Sequence, residues 1–137
     1  MNLNYSLKQL AKITNGYVIG DDTLVVNQIV TDSRRSIINQ KTMFIALKGY
    51  NIDGHEFCEK FIKKGGGTIL VDKAQDIPNS NQLVVKNTLL ALQLIAKFHR
   101  EQFNIPTIGI TGSNGKTIVK EWLFHALKTE FNICRSP

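Results

Sequence analysis

The fold of the last third of the chain is decided by the stretch Ile108-Gly109-Ile110-Thr111-Gly112-Ser113-Asn114-Gly115-Lys116-Thr117. The apolar run at residues 106–110 predicts a β-strand, and the helical spacing of apolar residues over 119–127 predicts a helix after the turn. Glycines in such a turn let successive backbone N–H groups point into one concavity, and the helix start adds partial positive charge. The order of strand, turn and helix therefore indicates a loop that binds the phosphates of a nucleotide triphosphate.

The chemistry of this phosphate loop (residues 111–117) follows from its last two residues. Lys116 can reach the β- and γ-phosphates, and the hydroxyl of Thr117 can ligate Mg²⁺. The strict pattern G-x-x-x-x-G-K-[ST] is not met, because Ile110 occupies its first glycine position. The alternative is an ordinary turn between a strand and a helix that carries a surface lysine.

Composition places the chain among folded globular proteins. Its 137 residues are 42% hydrophobic and 20% charged, and no apolar run approaches the roughly 20 residues of a membrane span. The start of the chain lacks a secretory signal, and Cys58 and Cys134 form no Cys-x-x-Cys pair, so we expect a reducing, cytoplasmic location. The net charge of +6 favours a solvated lysine-rich surface, with attraction to an anionic ligand as the alternative. Nucleic acid is not expected, since no aromatic and basic stripe accompanies the scattered lysines.

Strand and helix signals alternate along the chain, which predicts an α/β fold. Besides the strand that precedes the phosphate loop, strands are predicted at residues 18–19, 24–30, 42–47, 68–71, 83–85 and 131–134. Besides the helix that follows the phosphate loop, helices are predicted at residues 7–14, 55–64 and 88–103. We expect two domains, 1–85 and 86–137, with the long helix in the second. The second domain would be the truncated start of a larger nucleotide-binding domain, since a phosphate loop needs a sheet on which to sit.

Several polar residues of the first domain are candidates for a ligand site. Ser33 and Arg34 directly follow a predicted strand, where ligand crevices of α/β folds open, although turn formation explains this loop equally well. His55 lies at a junction between loop and helix, and we weigh ligand contact and a capping role equally. His99 lies on the apolar stripe of the long helix and is expected at the edge of the core, and His125 is expected at the surface.

Three segments together carry a resemblance to a known family. They are Thr31-Asp32-Ser33-Arg34, the pair of runs at 43–49 and 53–57, and residues 109–117 with Lys120-Glu121. They match the D-S-R loop, the F-x-A-L-x-G…D-G-H-x-F segment and the I-T-G-S-N-G-K-T…K-E loop of the Mur ligases. These are ATP-dependent amide-bond-forming enzymes of peptidoglycan precursor synthesis, and the chain resembles their N-terminal part.

The resemblance implies a small α/β domain that recognises the UDP part of a UDP-N-acetylmuramoyl-peptide, followed by the first β-α unit of a P-loop ATPase domain that binds ATP and Mg²⁺. Carried over by position, UDP contacts fall to Ser33, Arg34, Tyr50, Asn51, Ile52, Asp53 and His55, and ATP contacts to Thr111, Gly112, Ser113, Asn114, Gly115, Lys116 and Thr117. Lys116 takes the catalytic role and Thr117 the metal. Ile118 stands where many members have a second threonine, so no role is carried over to that position.

The resemblance also implies a reaction. The complete enzyme would transfer a phosphate from ATP to a substrate carboxylate, and the amine of D-alanyl-D-alanine would attack the acyl phosphate. We expect the complete enzyme to be a cytoplasmic monomer. This chain alone is expected to bind its substrate without catalysing ligation. The runs at 118–123 and 133–137 resemble the subgroup fused to an alanine racemase. Alternatives are a sister ligase that adds a diamino acid, folylpolyglutamate synthetase, which the Asp-Ser-Arg loop and Asp53-Gly54-His55 disfavour, and a nucleotide-binding module without catalysis.

Overall fold

The structure is a computed structural model that describes residues 3–34 and 38–136. Residues 1 and 137, the outer limits of the two predicted domains, lie outside the described residues. In chain order the strands are β1 (Tyr5–Ser6), β2 (Tyr17–Ile19), β3 (Val25–Val26), β4 (Gln28–Val30), β5 (Thr42–Ile45), β6 (Thr68–Val71) and β7 (Asn81–Val84). The helices are α1 (Leu7–Thr14), α2 (Cys58–Lys63), α3 (Thr88–Glu101) and α4 (Lys116–Leu127), with a 3₁₀ turn at Gly54–Phe57. The predicted α/β class is confirmed.

Five strands form one mixed sheet in the order β2-β7-β6-β5-β4. The four strands from β4 to β7 are parallel, and β2 pairs antiparallel with β7 at one edge. Every residue of β5 and β6 is buried, which explains why both strands read as continuous apolar runs without alternation. β1 and β3 form a separate two-stranded pair.

Helices cover both faces of the sheet and create two cores. Alternate residues of one strand point to opposite faces, so Met43 and Ile45 join one core and Phe44 and Ala46 the other. The first core also contains buried residues of α1 and α3, and the second contains Phe61 of α2 stacked on Phe44, with ring centroids 5.4 Å apart.

The helix ends follow the predicted capping signals. The Ser6 hydroxyl accepts a hydrogen bond from the Gln9 N–H, while the Gln9 side chain accepts one from the Ser6 N–H, which completes a capping box at the start of α1. Asn15 ends α1 in the left-handed conformation with φ 52°. The Asn87 side chain accepts from the Leu90 N–H at 2.8 Å and starts α3.

Two features of the first hundred residues differ from the sequence predictions. The predicted strand over 24–30 is interrupted at Asn27, and its halves β3 and β4 belong to different sheets. The long helix α3 packs against α1, with Ala91 and Ile95 buried beside Leu7 and Leu10. The chain accordingly divides into a first unit, Met1–Phe103, and a second, Asn104–Pro137, so α3 lies in the first unit and not in the second as expected.

The second unit contains α4 but neither predicted strand. Residues 106–110 and 131–134 have no strand assignment, and no ladder between strands is formed in the described part of this unit. The predicted helix after the phosphate loop is present as α4. Across residues 3–34 and 38–136, no helix is long and apolar enough to cross a membrane.

Candidate functional site

The predicted UDP-contacting residues follow neighbouring parallel strands. Residues 31–34 come directly after β4, and residues 46–55 come after β5. Carboxyl ends of parallel strands meet at one edge of a sheet, which is where ligand crevices of open α/β sheets form. The topology therefore brings both predicted groups to the same sheet edge.

The Asp-Ser-Arg loop (residues 31–34) is folded by its own side chains. Asp32 Oδ1 accepts a hydrogen bond from the Arg34 N–H at 2.9 Å, and the Arg34 guanidinium donates to the same carboxylate through Nε at 3.0 Å and Nη2 at 2.8 Å. This hydrogen bonding raises the pKa of Arg34. Ser33 is buried, and its carbonyl oxygen accepts from Lys64 Nζ at 3.2 Å. Turn chemistry is thus present, and Arg34 remains exposed toward solvent.

The chain after β5 forms a short hairpin over residues 47–54. Lys48 and Asp53 face each other in an antiparallel bridge, the Gly49 N–H donates to the Ile52 carbonyl at 2.9 Å, and the Gly54 N–H donates to the Leu47 carbonyl at 2.9 Å. Its tip comprises Tyr50, Asn51 and Ile52, all exposed; Tyr50 is fully exposed and Ile52 61% exposed. An aromatic and an aliphatic side chain held out in this way offer surface to a flat ligand group.

A network of polar side chains fixes the base of this hairpin. Asp53 Oδ1 lies 2.6 Å from His55 Nδ1 and also accepts from the His55 N–H at 3.0 Å. His55 Nε2 lies 3.2 Å from the Asp72 backbone nitrogen and 3.2 Å from Asp72 Oδ1, so the ring contacts Asp53 through one nitrogen and Asp72 through the other. Asp72 Oδ2 lies 2.6 Å from Lys48 Nζ. His55 therefore links the hairpin to the end of β6.

The carboxylates of this network are stabilised in their ionised form. The His55 N–H and then its ring lower the pKa of Asp53, and the hydrogen bond from Lys48 lowers the pKa of Asp72. The same hydrogen bond raises the pKa of Lys48. The His55 side chain is 11% exposed, and the capping role predicted for His55 belongs instead to Asp53, whose carboxylate accepts from the His55 N–H; ligand contact by His55 stays a prediction.

Sequence reasoning missed three residues of this sheet edge. Lys48 and Asp72 join the base of the hairpin, and Lys64 holds the Asp-Ser-Arg loop from the end of α2. Asp72 could have been predicted by the same rule as Ser33, because it directly follows a buried strand. The lysine contacts span 24 and 31 residues along the chain and left no local signal.

The phosphate loop ends where α4 begins. Gly115 has φ 76° and Gly112 φ 151°, conformations that favour glycine, and no side chain caps the first turn of α4. The N–H groups at that helix start are therefore available to an anion. Lys116 Nζ donates to the Gly112 carbonyl at 2.5 Å across the loop. All seven loop residues, including Thr117, are exposed.

The remaining histidines occupy the places predicted for them. His99 is 7% exposed, with Nδ1 2.9 Å from the Tyr5 hydroxyl and its ring 5.1 Å from that of Phe103, which makes it a core histidine. His125 is exposed on α4. Within the described ranges, no group of three or more His, Cys, Asp and Glu residues could hold a metal ion.

Comparison with known proteins places these features in a family. No protein-family model matches the chain. A curated relative from Haemophilus influenzae, UDP-N-acetylmuramoyl-tripeptide--D-alanyl-D-alanine ligase, is 40% identical over 119 residues, which cover 87% of this chain and 26% of the relative. The chain thus spans about a quarter of that relative's length.

Solved structures lead to the same family. Crystal structure I of MurF from Acinetobacter baumannii has a TM-score of 0.82 at 32% identity, covering 94% of this chain and 28% of that one. The MurF ligase from Thermotoga maritima in complex with ADP has a TM-score of 0.67 at 27% identity, covering 80% and 25%. The resemblance read from the sequence motifs is therefore confirmed: the chain belongs to the Mur ligase family and matches the N-terminal part of its D-alanyl-D-alanine-adding members.

Proposed function

We propose that this chain is the nucleotide-binding part of a ligase that uses ATP to join D-alanyl-D-alanine to UDP-N-acetylmuramoyl-tripeptide through an acyl phosphate. The observation that carries the proposal is the presence of two different ligand surfaces in one chain. One is the sheet edge after β4 and β5, and the other is the phosphate loop before α4. A ligase of this kind must hold a UDP-linked substrate and ATP at the same time.

The first unit takes the UDP part of the substrate. Ser33 and Arg34 lie on the Asp-Ser-Arg loop, and Tyr50, Asn51 and Ile52 form the exposed hairpin tip, with Asp53 and His55 at its base. The Tyr50 ring can pack on a uracil base, and Asn51 offers amide groups to its polar edge. The net charge of +6 would attract an anionic nucleotide sugar.

The second unit takes ATP. The uncapped start of α4 and the loop N–H groups suit phosphate oxygens, and the likeness to a MurF bound to ADP supports this role. On binding, Lys116 Nζ would leave the Gly112 carbonyl for the phosphates, where its charge stabilises the transferring phosphoryl group. The exposed Thr117 hydroxyl is the hard oxygen ligand that Mg²⁺ prefers, and bound Mg²⁺ would neutralise phosphate charge.

The complete enzyme would be a cytoplasmic monomer in which the first domain ends near residue 103, where the two units divide, and the ATP-binding domain starts after it. This chain alone would bind a UDP-sugar but not ligate. The described residues hold no acidic metal cluster, and the phosphate loop has no paired strand beneath it.

Two variants of the complete enzyme test the assignment. Lys116→Ala should lower kcat by about 10²-fold or more, because a charge aimed at the transferring phosphoryl group is lost. Ser33→Ala combined with Asn51→Ala should raise KM for the UDP substrate and leave KM for ATP nearly unchanged. Normal turnover by Lys116→Ala would refute the role of Lys116. Equal increases in KM for the UDP substrate and for ATP in the double variant would refute the role of Ser33 and Asn51 in binding UDP.

A further inference from the structure

Asp72 holds both sides of the 47–54 hairpin from outside it. Its carboxylate contacts Lys48 Nζ on the incoming side at 2.6 Å. On the outgoing side its backbone nitrogen and its Oδ1 both lie 3.2 Å from His55 Nε2, and His55 in turn contacts Asp53 at 2.6 Å. One residue therefore connects to the start and the end of a loop whose middle projects into solvent.

The platform on which Asp72 sits is rigid. It directly follows β6, which is hydrogen-bonded to β5 on one side and to β7 on the other, and all four residues of β6 are buried. The hairpin tip has no comparable support, since Tyr50 is fully exposed and Asn51 and Ile52 are exposed as well. Order at the tip must come from the bridge at its base, which Asp72 secures.

We propose that Asp72 is a positioning residue for nucleotide recognition: by tying Lys48 and His55 to the end of β6, it holds the tip formed by Tyr50, Asn51 and Ile52 in the conformation that binds the uridine diphosphate group. The proposal rests on the proposed function of the first unit. Asp72 acts through the hairpin and does not touch the ligand. When a loop already has its binding conformation, less of the binding free energy is lost to ordering the loop.

The consequence is quantitative. When only a fraction of molecules holds the competent loop, the apparent Kd rises by the inverse of that fraction. An untied hairpin that is competent about one tenth of the time would bind about tenfold more weakly. Asp72→Asn retains the shape and the backbone N–H but removes the charge that both Lys48 and His55 contact, so it tests the role of the carboxylate with little change in volume.

The experiment titrates uridine 5′-diphosphate into the 137-residue chain and measures amide hydrogen exchange without ligand. Asp72→Asn should raise the Kd about tenfold and speed exchange of the Gly49 amide, which bonds to Ile52 across the tip. The matched control is Asp76→Asn, the same substitution at an exposed aspartate four residues on, which should leave both readouts at wild-type values. Asp72→Glu, which restores the carboxylate, should bind within about threefold of wild type.

A double-mutant cycle separates positioning from general destabilisation. In a Tyr50→Ala background, Asp72→Asn should change the Kd by less than about twofold, because the tip that it positions has lost its main contact. An equal effect of Asp72→Asn in both backgrounds, or unchanged Kd and Gly49 exchange in Asp72→Asn, would overturn the proposal. If the wild-type chain does not bind uridine 5′-diphosphate at all, the proposed function of this unit fails. The effect of Asp72→Asn on exchange of the Gly49 amide then shows by itself whether Asp72 orders the hairpin.

Discussion

Replacing Gly54 with alanine would place a methyl carbon 2.7 Å from the Leu47 carbonyl oxygen and 2.8 Å from the Leu47 nitrogen. Both are backbone atoms, and the Ala46 carbonyl carbon lies 3.1 Å away, so no side-chain rotation can relieve the contact. The Gly54 N–H donates to that same Leu47 oxygen at 2.9 Å. The substitution must therefore separate the two sides of the 47–54 hairpin.

The cost follows from the two interactions that are disturbed. Overpacking at a rigid buried site costs about 1–3 kcal/mol, and lengthening one hydrogen bond costs about 0.5–1.5 kcal/mol. We expect a loss of about 2–4 kcal/mol in the free energy of unfolding, which lowers the Tm of a unit of this size by about 10–20 °C. Because the hairpin tip moves with its base, affinity for uridine 5′-diphosphate should fall as well.

Urea unfolding followed by far-UV circular dichroism measures this change. The matched control is Gly109→Ala, at a position where an added Cβ meets no atom within 4 Å and the φ angle is ordinary. That variant should stay within about 0.5 kcal/mol of wild type. If Gly54→Ala is as stable as the control, the hairpin does not pack closely against Leu47.

Three further predictions concern the first unit and the cysteines. Burial raises the pKa of Cys58 to about 12, so iodoacetamide at about pH 8 should label the exposed Cys134 and spare Cys58, and mass spectrometry showing two labels on the native chain would contradict this. The pKa values of Asp53 and Asp72 are lowered from 3.8, so the stability they contribute is complete above about pH 5 and disappears as pH falls through their folded values; urea unfolding should show a smaller acid loss in Asp72→Asn than in wild type. Asn87→Ala removes the cap of α3 and should cost about 1 kcal/mol by the same assay, whereas Asn87→Ser, which can still cap, should cost far less.

Local signals in the sequence predicted the elements that local chemistry determines. The caps at Ser6 and Asn87 and the buried strand β6 needed only neighbouring residues to be recognised, and all three are present in the structure. The failures depended on partners distant in sequence. The apolar run at 106–110 has strand composition but no strand assignment in the described part of the chain, and Asn27 divides a run that composition alone reads as continuous.

The candidate site shows the same limit. The rule that ligands bind beyond the carboxyl ends of strands identified Ser33 and Arg34, and motif resemblance added the 50–55 segment. Neither identified Lys48 and Lys64 as partners, because their contacts reach Asp72 and Ser33 in other loops. The ligand roles of all these residues stay predictions until binding is measured.

The pairing of β2 with β7 has a consequence for how the protein is made. Tyr17 pairs with Val84, and α1 packs on α3, so β2 and α1 are synthesised well before these two partners, although β1 can pair early with β3. Until α3 is synthesised, the apolar side of α1 that α3 covers stays exposed. Elements that depend on such long-range pairing can collapse early onto a non-native surface. Nascent chains arrested before β7 should therefore be chaperone-bound and protease-sensitive, whereas those that expose residues through Phe103 should already resist proteolysis.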